Sequence, residues 1–230
     1  MIKVILWDLD NTLLDFLYAE KMSLRTVFKT QGFWELTDAQ VAAYSAINNR
    51  HWEKLERGEC TKEQVMHNRF AEFLQYLGIT GADPDSLCTA YEQGIADHNR
   101  FIENGYDVVA SLKGRYRQYV VTNGAYDVQT KRLAGTGLDK LFDGVFISDE
   151  VGFEKPSVHF FQTVLSQIEP CAKDEILMVG DSLSSDMQGA NNIGIPCCWY
   201  NPQHKVNTSA VKTDCEIHSL NEIYQVLGGQ

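Results

Sequence analysis

The stretch IKVILWDLDNT, from Ile2 to Thr12, decides the fold: an apolar run broken only by Lys3 ends at Asp8 and Asp10. A short apolar run bounded by polar residues is typical of a buried strand in a parallel sheet. Ligands of open α/β sheets bind just beyond the carboxyl ends of such strands. The two carboxylates repel each other and lose hydration there, which is tolerable only with a cation between them or a proton on one of them. The first element therefore predicts a metal site, acid–base chemistry, or both.

The composition predicts a folded protein with an acidic surface. The 230 residues are 44% hydrophobic and carry a formal net charge of −11. A field of this sign repels phosphate groups, so neither a nucleic-acid polymer nor an anionic membrane is an expected partner. No stretch approaches the roughly 20 apolar residues of a membrane span, and no basic leader precedes the acidic pair. We therefore expect a cytoplasmic protein with a small-molecule partner; the sequence predicts nothing about its oligomeric state.

The six cysteines show no C-x-x-C spacing, and the neighbours Cys197 and Cys198 lie in an apolar, strand-like run. Small buried thiols are commoner in such runs than metal ligands. All six cysteines are therefore predicted to be free.

The pattern changes after the acidic pair. From about Phe16 to Asn99, apolar residues recur at three- and four-residue spacing, which predicts a helical module. Its four helices are expected over Tyr18–Phe28, Ala39–Leu55, Gln64–Leu77 and Ser86–Ile95. Thr37 with Gln40, and Thr61 with Gln64, fit capping boxes at two of the helix starts.

The rest of the chain alternates between strand-like and helical patterns, which predicts an α/β fold with a parallel sheet. Strands are expected over Ile2–Trp7, Gln118–Val121, Gly144–Ile147, Ile176–Val179 and Ile195–Tyr200, and Cys215–Ile217 is a candidate edge strand. Helices are expected near 106–113, 126–134, 157–168, 183–193 and 219–227.

Polar clusters follow four of the predicted strands. They are Asp8 with Asp10, Thr122-Asn123-Gly124, Lys155-Pro156, and Gly180-Asp181 with Asp186. Each cluster alone also fits a turn or a helix start. Because the carboxyl ends of parallel strands meet at one edge of the sheet, the four clusters together favour a single site.

This set of side chains suits phosphoryl transfer through a covalent aspartyl-phosphate. Asp8 is the candidate nucleophile, while a divalent cation, Lys155 and Thr122 neutralise the phosphoryl oxygens. Asp10 is the candidate acid that protonates the leaving oxygen and afterwards the base that deprotonates the attacking water. Thr122, Asn123 and Lys155 are the candidate phosphate-binding residues.

Mg²⁺ is the predicted cofactor because it prefers hard oxygen ligands. The candidate ligands are the side chains of Asp8 and Asp181 and the backbone carbonyl of Asp10, with Asp186 behind them. Lys155 precedes a proline and is therefore biased toward an extended backbone, which projects its ammonium over the strand edge.

These motifs resemble the signature of the haloacid dehalogenase superfamily of phosphatases. The signature residues are Asp8-Leu9-Asp10-Asn11-Thr12, Thr122, Lys155, and Gly180-Asp181 with Asp186. The resemblance implies a Rossmann-like core, residues 1–15 and 103–230, with a helical cap, residues 16–102, inserted after the nucleophile loop. Asn11 stands where glycine is frequent, and asparagine tolerates a positive φ nearly as well.

Further stretches look like the bacterial pyrimidine-nucleotide 5′-phosphatases of this superfamily. They are residues 58–70, Thr136-Gly137-Leu138, Glu150-Val151-Gly152 and Cys198-Trp199-Tyr200-Asn201. The likeness implies a Mg²⁺-dependent phosphatase of nucleoside 5′-monophosphates whose cap selects the leaving group.

Three alternatives remain open at this point. The first is a phosphatase for a sugar phosphate or phosphoglycolate, which the same core motifs serve. The second is a haloacid dehalogenase, but members of that branch lack the second aspartate, since a halide needs no proton. The third is a non-catalytic phospho-acceptor such as a response-regulator receiver, which takes its phosphate on the third strand and has no room for the insert.

Overall fold

The computed structural model describes residues 1–228, so the last two residues of the predicted core lie outside the described part. The chain divides into two compact units: Met1–Asp15 joined by the chain from Phe101 onward, and Phe16–Arg100. The predicted insert extends two residues too far, because the Ile102 amide donates to the Leu13 carbonyl and ties this segment to the first unit. No helix among the described residues is both long and apolar enough to cross a membrane.

The first unit is built on a six-stranded parallel sheet, as predicted. Its strands are β1 Val4–Trp7, β2 Arg117–Thr122, β3 Gly144–Ile147, β4 Ile176–Gly180, β5 Cys197–Tyr200 and β6 Cys215–Ile217. They lie in the Rossmann-like order β3-β2-β1-β4-β5-β6, and every neighbouring pair is parallel. The fifth strand begins two residues later than predicted, at Cys197, immediately after a proline, which has no amide hydrogen for the sheet.

The position of β1 explains where the site forms. All four of its residues are buried, with β2 on one side and β4 on the other. From β1 the chain crosses to β2 and β3, and then returns to the opposite side of β1 as β4. This reversal between β1 and β4 is the topological switch point, where the crevice at the carboxyl edge of such sheets receives a ligand.

The second unit consists of four helices, as predicted. They are α1 Phe16–Thr30, α2 Asp38–Glu56, α3 Lys62–Leu77 and α4 Pro84–Asp97. Both predicted capping boxes are present, Thr37 with Gln40 and Thr61 with Gln64. The interior is rich in aromatic rings, among which Tyr44 contacts three others.

Helices cover both faces of the sheet in the first unit. They are α5 Gly105–Leu112, α6 Tyr126–Thr136, α7 Ser148–Val151, α8 Val158–Gln167, α9 Gln188–Ile193 and α10 Ile223–Val226. Successive strand residues point to opposite faces, so the apolar core forms two clusters, with Ile5 in one and Leu6 in the other. All six cysteines are free, as predicted.

Two predicted helices are only partly α-helical. The segment predicted over 183–193 begins with a π-helical turn, Leu183–Met187, before α9. The segment predicted over 219–227 begins with a 3₁₀ turn, Leu220–Glu222, before α10. Turns of the π type occur frequently at functional sites, and this one carries Asp186.

Candidate active site

Three carboxylates meet at the switch point of the sheet. Asp8 follows β1 and Asp181 follows β4, while Asp186 lies in the π-helical turn. One carboxylate oxygen from each of the three lies within 4.8 Å of the other two. The structure therefore brings together acidic residues that are separated by most of the chain.

Lys155 lies among these acidic groups. Its Nζ donates to Asp8 Oδ1 at 2.7 Å, to Asp186 Oδ1 at 2.6 Å and to the Val121 carbonyl at 2.8 Å. The side chain is almost fully buried, at 1% exposure. Because an ammonium has three donors, this set of acceptors fixes its position.

The second oxygen of Asp8 is held by its own loop. Thr12 Oγ1 donates to Asp8 Oδ2 at 3.0 Å and accepts from the Asp181 amide at 3.1 Å. The loop reverses at Asn11, whose φ of 59° is the positive value expected where glycine is frequent. One hydroxyl thus joins the loop that contains Asp8 to the loop after β4.

Burial and mutual repulsion change the acidity of the site. Burial and the charge of Asp186 raise the pKa of Asp8 to about 7, although Lys155 opposes this shift. Burial, Asp8 and Asp186 raise the pKa of Asp181 well above its ordinary value. Burial alone would lower the pKa of Lys155, but the carboxylates of Asp186 and Asp8 outweigh it and raise that pKa. Lys155 supplies one positive charge to three carboxylates, so a bound cation would favour their ionised forms.

The donor set fits Mg²⁺. All three side chains offer carboxylate oxygens, the hard ligands that this ion prefers. Asp8 and Asp181 are the direct ligands that the sequence predicts. Asp186 is occupied by Lys155 at one oxygen and accepts from the Ser182 amide at the other, at 3.1 Å. These bonds suit its predicted place behind the ligands.

Gly180 is required by the close approach of Asp186. A Cβ at Gly180 would lie 2.2 Å from Asp186 Oδ2, which is far inside van der Waals contact. Any other residue would displace that carboxylate and with it a partner of Lys155. The glycine in the Gly-Asp motif therefore has a steric cause.

Thr122 ends β2 and Asn123 follows it, beside the site. Thr122 is buried, and its Oγ1 accepts from Gln129 Nε2 at 2.8 Å. The side chain of Asn123 binds the backbone of Lys155 twice, accepting from its amide at 2.8 Å and donating to its carbonyl at 3.0 Å. Asn123 thus positions Lys155, and its predicted contact with phosphate stays a prediction.

The side chain of Asp10 faces α6 and not the three clustered carboxylates. Its Oδ2 accepts from Gln129 Nε2 at 2.8 Å, and its Oδ1 forms an ion pair with Arg132 Nη1. Its predicted metal contact through the backbone carbonyl stays a prediction. Gln129 and Arg132 were missed from the sequence, where the signal was two polar residues three positions apart in the helix after the Thr-Asn-Gly cluster.

Two known proteins are similar in sequence to this chain over nearly its whole length. The chain is 34% identical over 226 residues to the pyrimidine 5′-nucleotidase PynA of Streptococcus pneumoniae, covering 98% of this chain and 94% of PynA. It is 29% identical over 223 residues to the pyrimidine 5′-nucleotidase YjjG of Escherichia coli, covering 97% and 96%.

Solved structures share the fold. The crystal structure of the HAD-hydrolase YfnB from Bacillus subtilis, bound to magnesium, matches with a TM-score of 0.94 at 33% identity and covers 99% of both chains. Residues 5–200 match the family described as haloacid dehalogenase-like hydrolase. This chain therefore belongs to the haloacid dehalogenase-like hydrolase family.

Proposed function

We propose that this protein is a Mg²⁺-dependent phosphomonoesterase that acts through an aspartyl-phosphate, with nucleoside 5′-monophosphates, above all those of pyrimidines, as substrates. The observation that carries the proposal is the meeting of Asp8, Asp181 and Asp186 around Lys155 at the switch point of the sheet. Such a site offers a carboxylate nucleophile, a fixed positive charge and oxygen ligands for a divalent cation.

In the first half-reaction the Asp8 carboxylate attacks phosphorus in line with the ester oxygen. Lys155 already donates to Asp8 Oδ1 and Thr12 to Oδ2, so the nucleophile is oriented before substrate arrives. The P–O bond to the leaving group breaks, and Asp10 gives its proton to the departing alkoxide. Lys155 and Thr122 offset charge on the phosphoryl oxygens.

In the second half-reaction water attacks the phosphorus of the aspartyl-phosphate. Asp10, now a carboxylate, accepts the proton of that water, and the bond between phosphorus and Asp8 breaks to release inorganic phosphate. Asp10 thereby regains the proton that it lost in the first half, and the cycle closes.

The groups that would hold Mg²⁺ are the side chains of Asp8 and Asp181 and the backbone carbonyl of Asp10, supported by Asp186. When bound, the ion neutralises charge on the phosphoryl group and on the carboxylates themselves. The description of YfnB as magnesium-bound at 33% identity supports this choice of ion.

The choice of nucleotides rests on the relatives. PynA and YjjG are both named pyrimidine 5′-nucleotidases, and each match extends over 97% or more of this chain, so it includes the helical unit. We propose that this helical unit is the cap that selects the leaving group. The cytoplasmic location predicted from the sequence stays a prediction.

A substrate panel tests the proposal. The purified protein would be incubated with Mg²⁺ and with pyrimidine and purine nucleoside monophosphates, sugar phosphates, phosphoglycolate and a chlorinated carboxylic acid, and released phosphate or chloride would be measured. We expect phosphate release, fastest from pyrimidine nucleotides. The Asp8→Asn variant should be inactive, while Asp139→Asn, a charge-matched change at an exposed residue of the same unit, should retain activity.

The panel also separates the alternatives. Preference for a sugar phosphate or phosphoglycolate would keep the mechanism and replace the substrate. Release of chloride would favour a dehalogenase. No release above the Asp8→Asn control would remove the enzymatic proposal, and an aspartyl-phosphate that persists for hours would favour a phospho-acceptor.

A further inference from the structure

We propose that Gln129 and Arg132 are positioning residues that hold the Asp10 carboxylate in place as the base for the second half-reaction. The inference rests on the proposed function and deepens it, because it assigns two residues of α6 to one of the two chemical steps. It is carried by a closed set of hydrogen bonds among Asp10, Gln129, Arg132 and Thr122.

Gln129 is fixed on both sides of its amide. Its Nε2 donates to Asp10 Oδ2 and to Thr122 Oγ1, both at 2.8 Å, and its Oε1 accepts from Arg132 Nη1 at 3.0 Å. Both amide hydrogens are therefore used, and the acceptor side faces a cation. Gln129 is 2% exposed, so its amide is shielded from water. Through this amide the proposed base is connected to the proposed phosphate-binding hydroxyl.

Arg132 completes the set from the next turn of α6. Its Nη1 binds Asp10 Oδ1 as well as Gln129, so both carboxylate oxygens of Asp10 receive a donor from the same helix. The guanidinium is 1% exposed, and its Nε and Nη2 have no hydrogen-bond partner within the described residues. Leaving buried donors unpaired is unfavourable, so packing alone does not account for this side chain. Such a cost is typical of functional sites.

The arrangement matches one of the two roles of Asp10. A carboxylate that accepts a donor at each oxygen is held in a fixed orientation and keeps a further acceptor position on each oxygen. Such an acceptor position is what the proton of the attacking water needs. Gln129 and Arg132 should therefore matter more for hydrolysis of the aspartyl-phosphate than for its formation.

p-Nitrophenyl phosphate separates the two steps. Its leaving group departs as a stable phenolate, so formation of the aspartyl-phosphate needs no proton from Asp10. The ratio kcat/KM covers the steps up to that intermediate, whereas kcat also includes its hydrolysis. A residue that serves only hydrolysis therefore lowers kcat and KM together and leaves kcat/KM in place.

The experiment compares Arg132→Met and Gln129→Met with Lys131→Met. The control removes the same positive charge as Arg132→Met, but from the neighbouring, exposed position of α6. For the first two we expect kcat to fall by about tenfold or more, less than the roughly 10²–10⁴-fold that acid–base catalysis itself supplies, because Asp10 remains in place. KM should fall by the same factor. The time course should begin with a burst in which each active site releases one equivalent of nitrophenolate, followed by a slow steady phase. Arg132→Lys should restore part of kcat, and Lys131→Met should resemble the wild type.

Other results would overturn the inference. A merely structural role lowers kcat and kcat/KM together at constant KM, the behaviour that Leu133→Ala, a cavity in the same helix, should produce. A rise in KM at constant kcat would make Arg132 a phosphate-binding residue. In both cases an active wild type leaves the proposed function standing; an inactive wild type removes the proposed function and this inference with it.

Discussion

Each unit of this protein buries a polar cluster, and the two clusters are built differently. In the helical unit Glu20 is 1% exposed, and its carboxylate accepts from Ser45, from Asn48 at 3.1 Å and from Tyr91 at 3.3 Å. In the sheet unit the ammonium of Lys155 pairs with two carboxylates, Asp8 and Asp186, and an oxygen of a third, Asp181, lies within 4.8 Å of an oxygen of each. The chain itself supplies hydrogen bonds to both oxygens of Glu20, whereas the cluster on the sheet carries excess negative charge.

The acidity of the two clusters shows the same contrast. Burial raises the pKa of Glu20, and the hydrogen bonds from its neighbours only lower it in part. In the sheet unit the neighbours of Asp8 include a second carboxylate, Asp186, which adds to the effect of burial. A buried polar group is therefore not in itself a sign of function. What indicates function is a buried group of like charges whose mutual repulsion is not offset by opposite charges of the chain.

The largest effect is expected from Lys155→Met, which removes the positive charge that pairs with Asp8 and Asp186 in the sheet unit. The change leaves Asp8 and Asp186 buried without their ammonium, so the free energy of unfolding should fall by about 3–5 kcal/mol without divalent cation. Activity should also be lost. Chemical denaturation and phosphate release measure the two effects. Lys140→Met, at an exposed position of the same unit, should change stability by no more than about 0.5 kcal/mol; an equal loss in both variants would contradict the comparison.

Added Mg²⁺ should offset the excess negative charge of the clustered carboxylates in the sheet unit. If the ion binds the folded site, the unfolding free energy should rise by about 2.7 kcal/mol at a concentration one hundred times the Kd. Thermal unfolding with and without EDTA measures this rise. Asp181→Asn should abolish most of it and Asp139→Asn should not. Stabilisation of the same size in both variants would place the ion elsewhere.

Without divalent cations, the free energy of unfolding should fall as the pH rises from about 4 to about 7. The pKa of Asp8 is about 7 in the folded protein against 3.8 ordinarily, so in this range the folded state binds more protons than the unfolded state. For this one proton, the free energy of unfolding falls by up to about 1.4 kcal/mol for each unit of pH. The contribution of Asp8 to stability is fully present below its ordinary pKa and is lost above its pKa in the folded protein. Asp8→Asn should flatten this dependence in urea titrations; an unchanged slope would contradict the assignment.

The smallest effect is expected from Glu20→Gln in the helical cluster. The amide oxygen can still accept from Asn48 and Tyr91, while its nitrogen donates to Ser45, whose hydroxyl already reaches the Val41 carbonyl at 3.2 Å. The free energy of unfolding should change by less than about 1 kcal/mol. Glu20→Leu, which leaves those donors unpaired, should cost about 1–3 kcal/mol for each of them. Equal losses would mean that the charge of Glu20, and not its acceptors, stabilises the helical unit.

Much of the fold was predictable because local patterns carry it. The strands and the four inserted helices follow from apolar periodicity, and the capping boxes at Thr37 and Thr61 follow from four residues each. The positive φ of Asn11 follows from the kind of residue that tolerates it. The predictions that failed concern ends. Pro196, which has no amide hydrogen, precedes the late start of β5, and the segment predicted over 183–193 begins with a π-helical turn in which Asp186 accepts from Lys155, 31 positions away.

The site was predictable only in part. Asp8 and Asp181 meet because both end parallel strands, which is a consequence of sheet geometry. The hydrogen bond between Asp10 and Gln129 joins residues 119 positions apart, and the spacing of polar residues in α6 does not indicate this partner. The side chain of Asn123, which is predicted to bind phosphate, also holds the backbone of Lys155, and this contact depends on how the loops after β2 and β3 pack.

By itself, the sequence determined which elements form and which chemical groups end the strands, because periodicity and chain order act over a few residues. Only the tertiary structure decided which of those groups are buried, which share one hydrogen-bond donor such as the ammonium of Lys155, and which are bonded to α6. Burial and distance set these electrostatic relations, and both arise from packing between segments far apart in the chain.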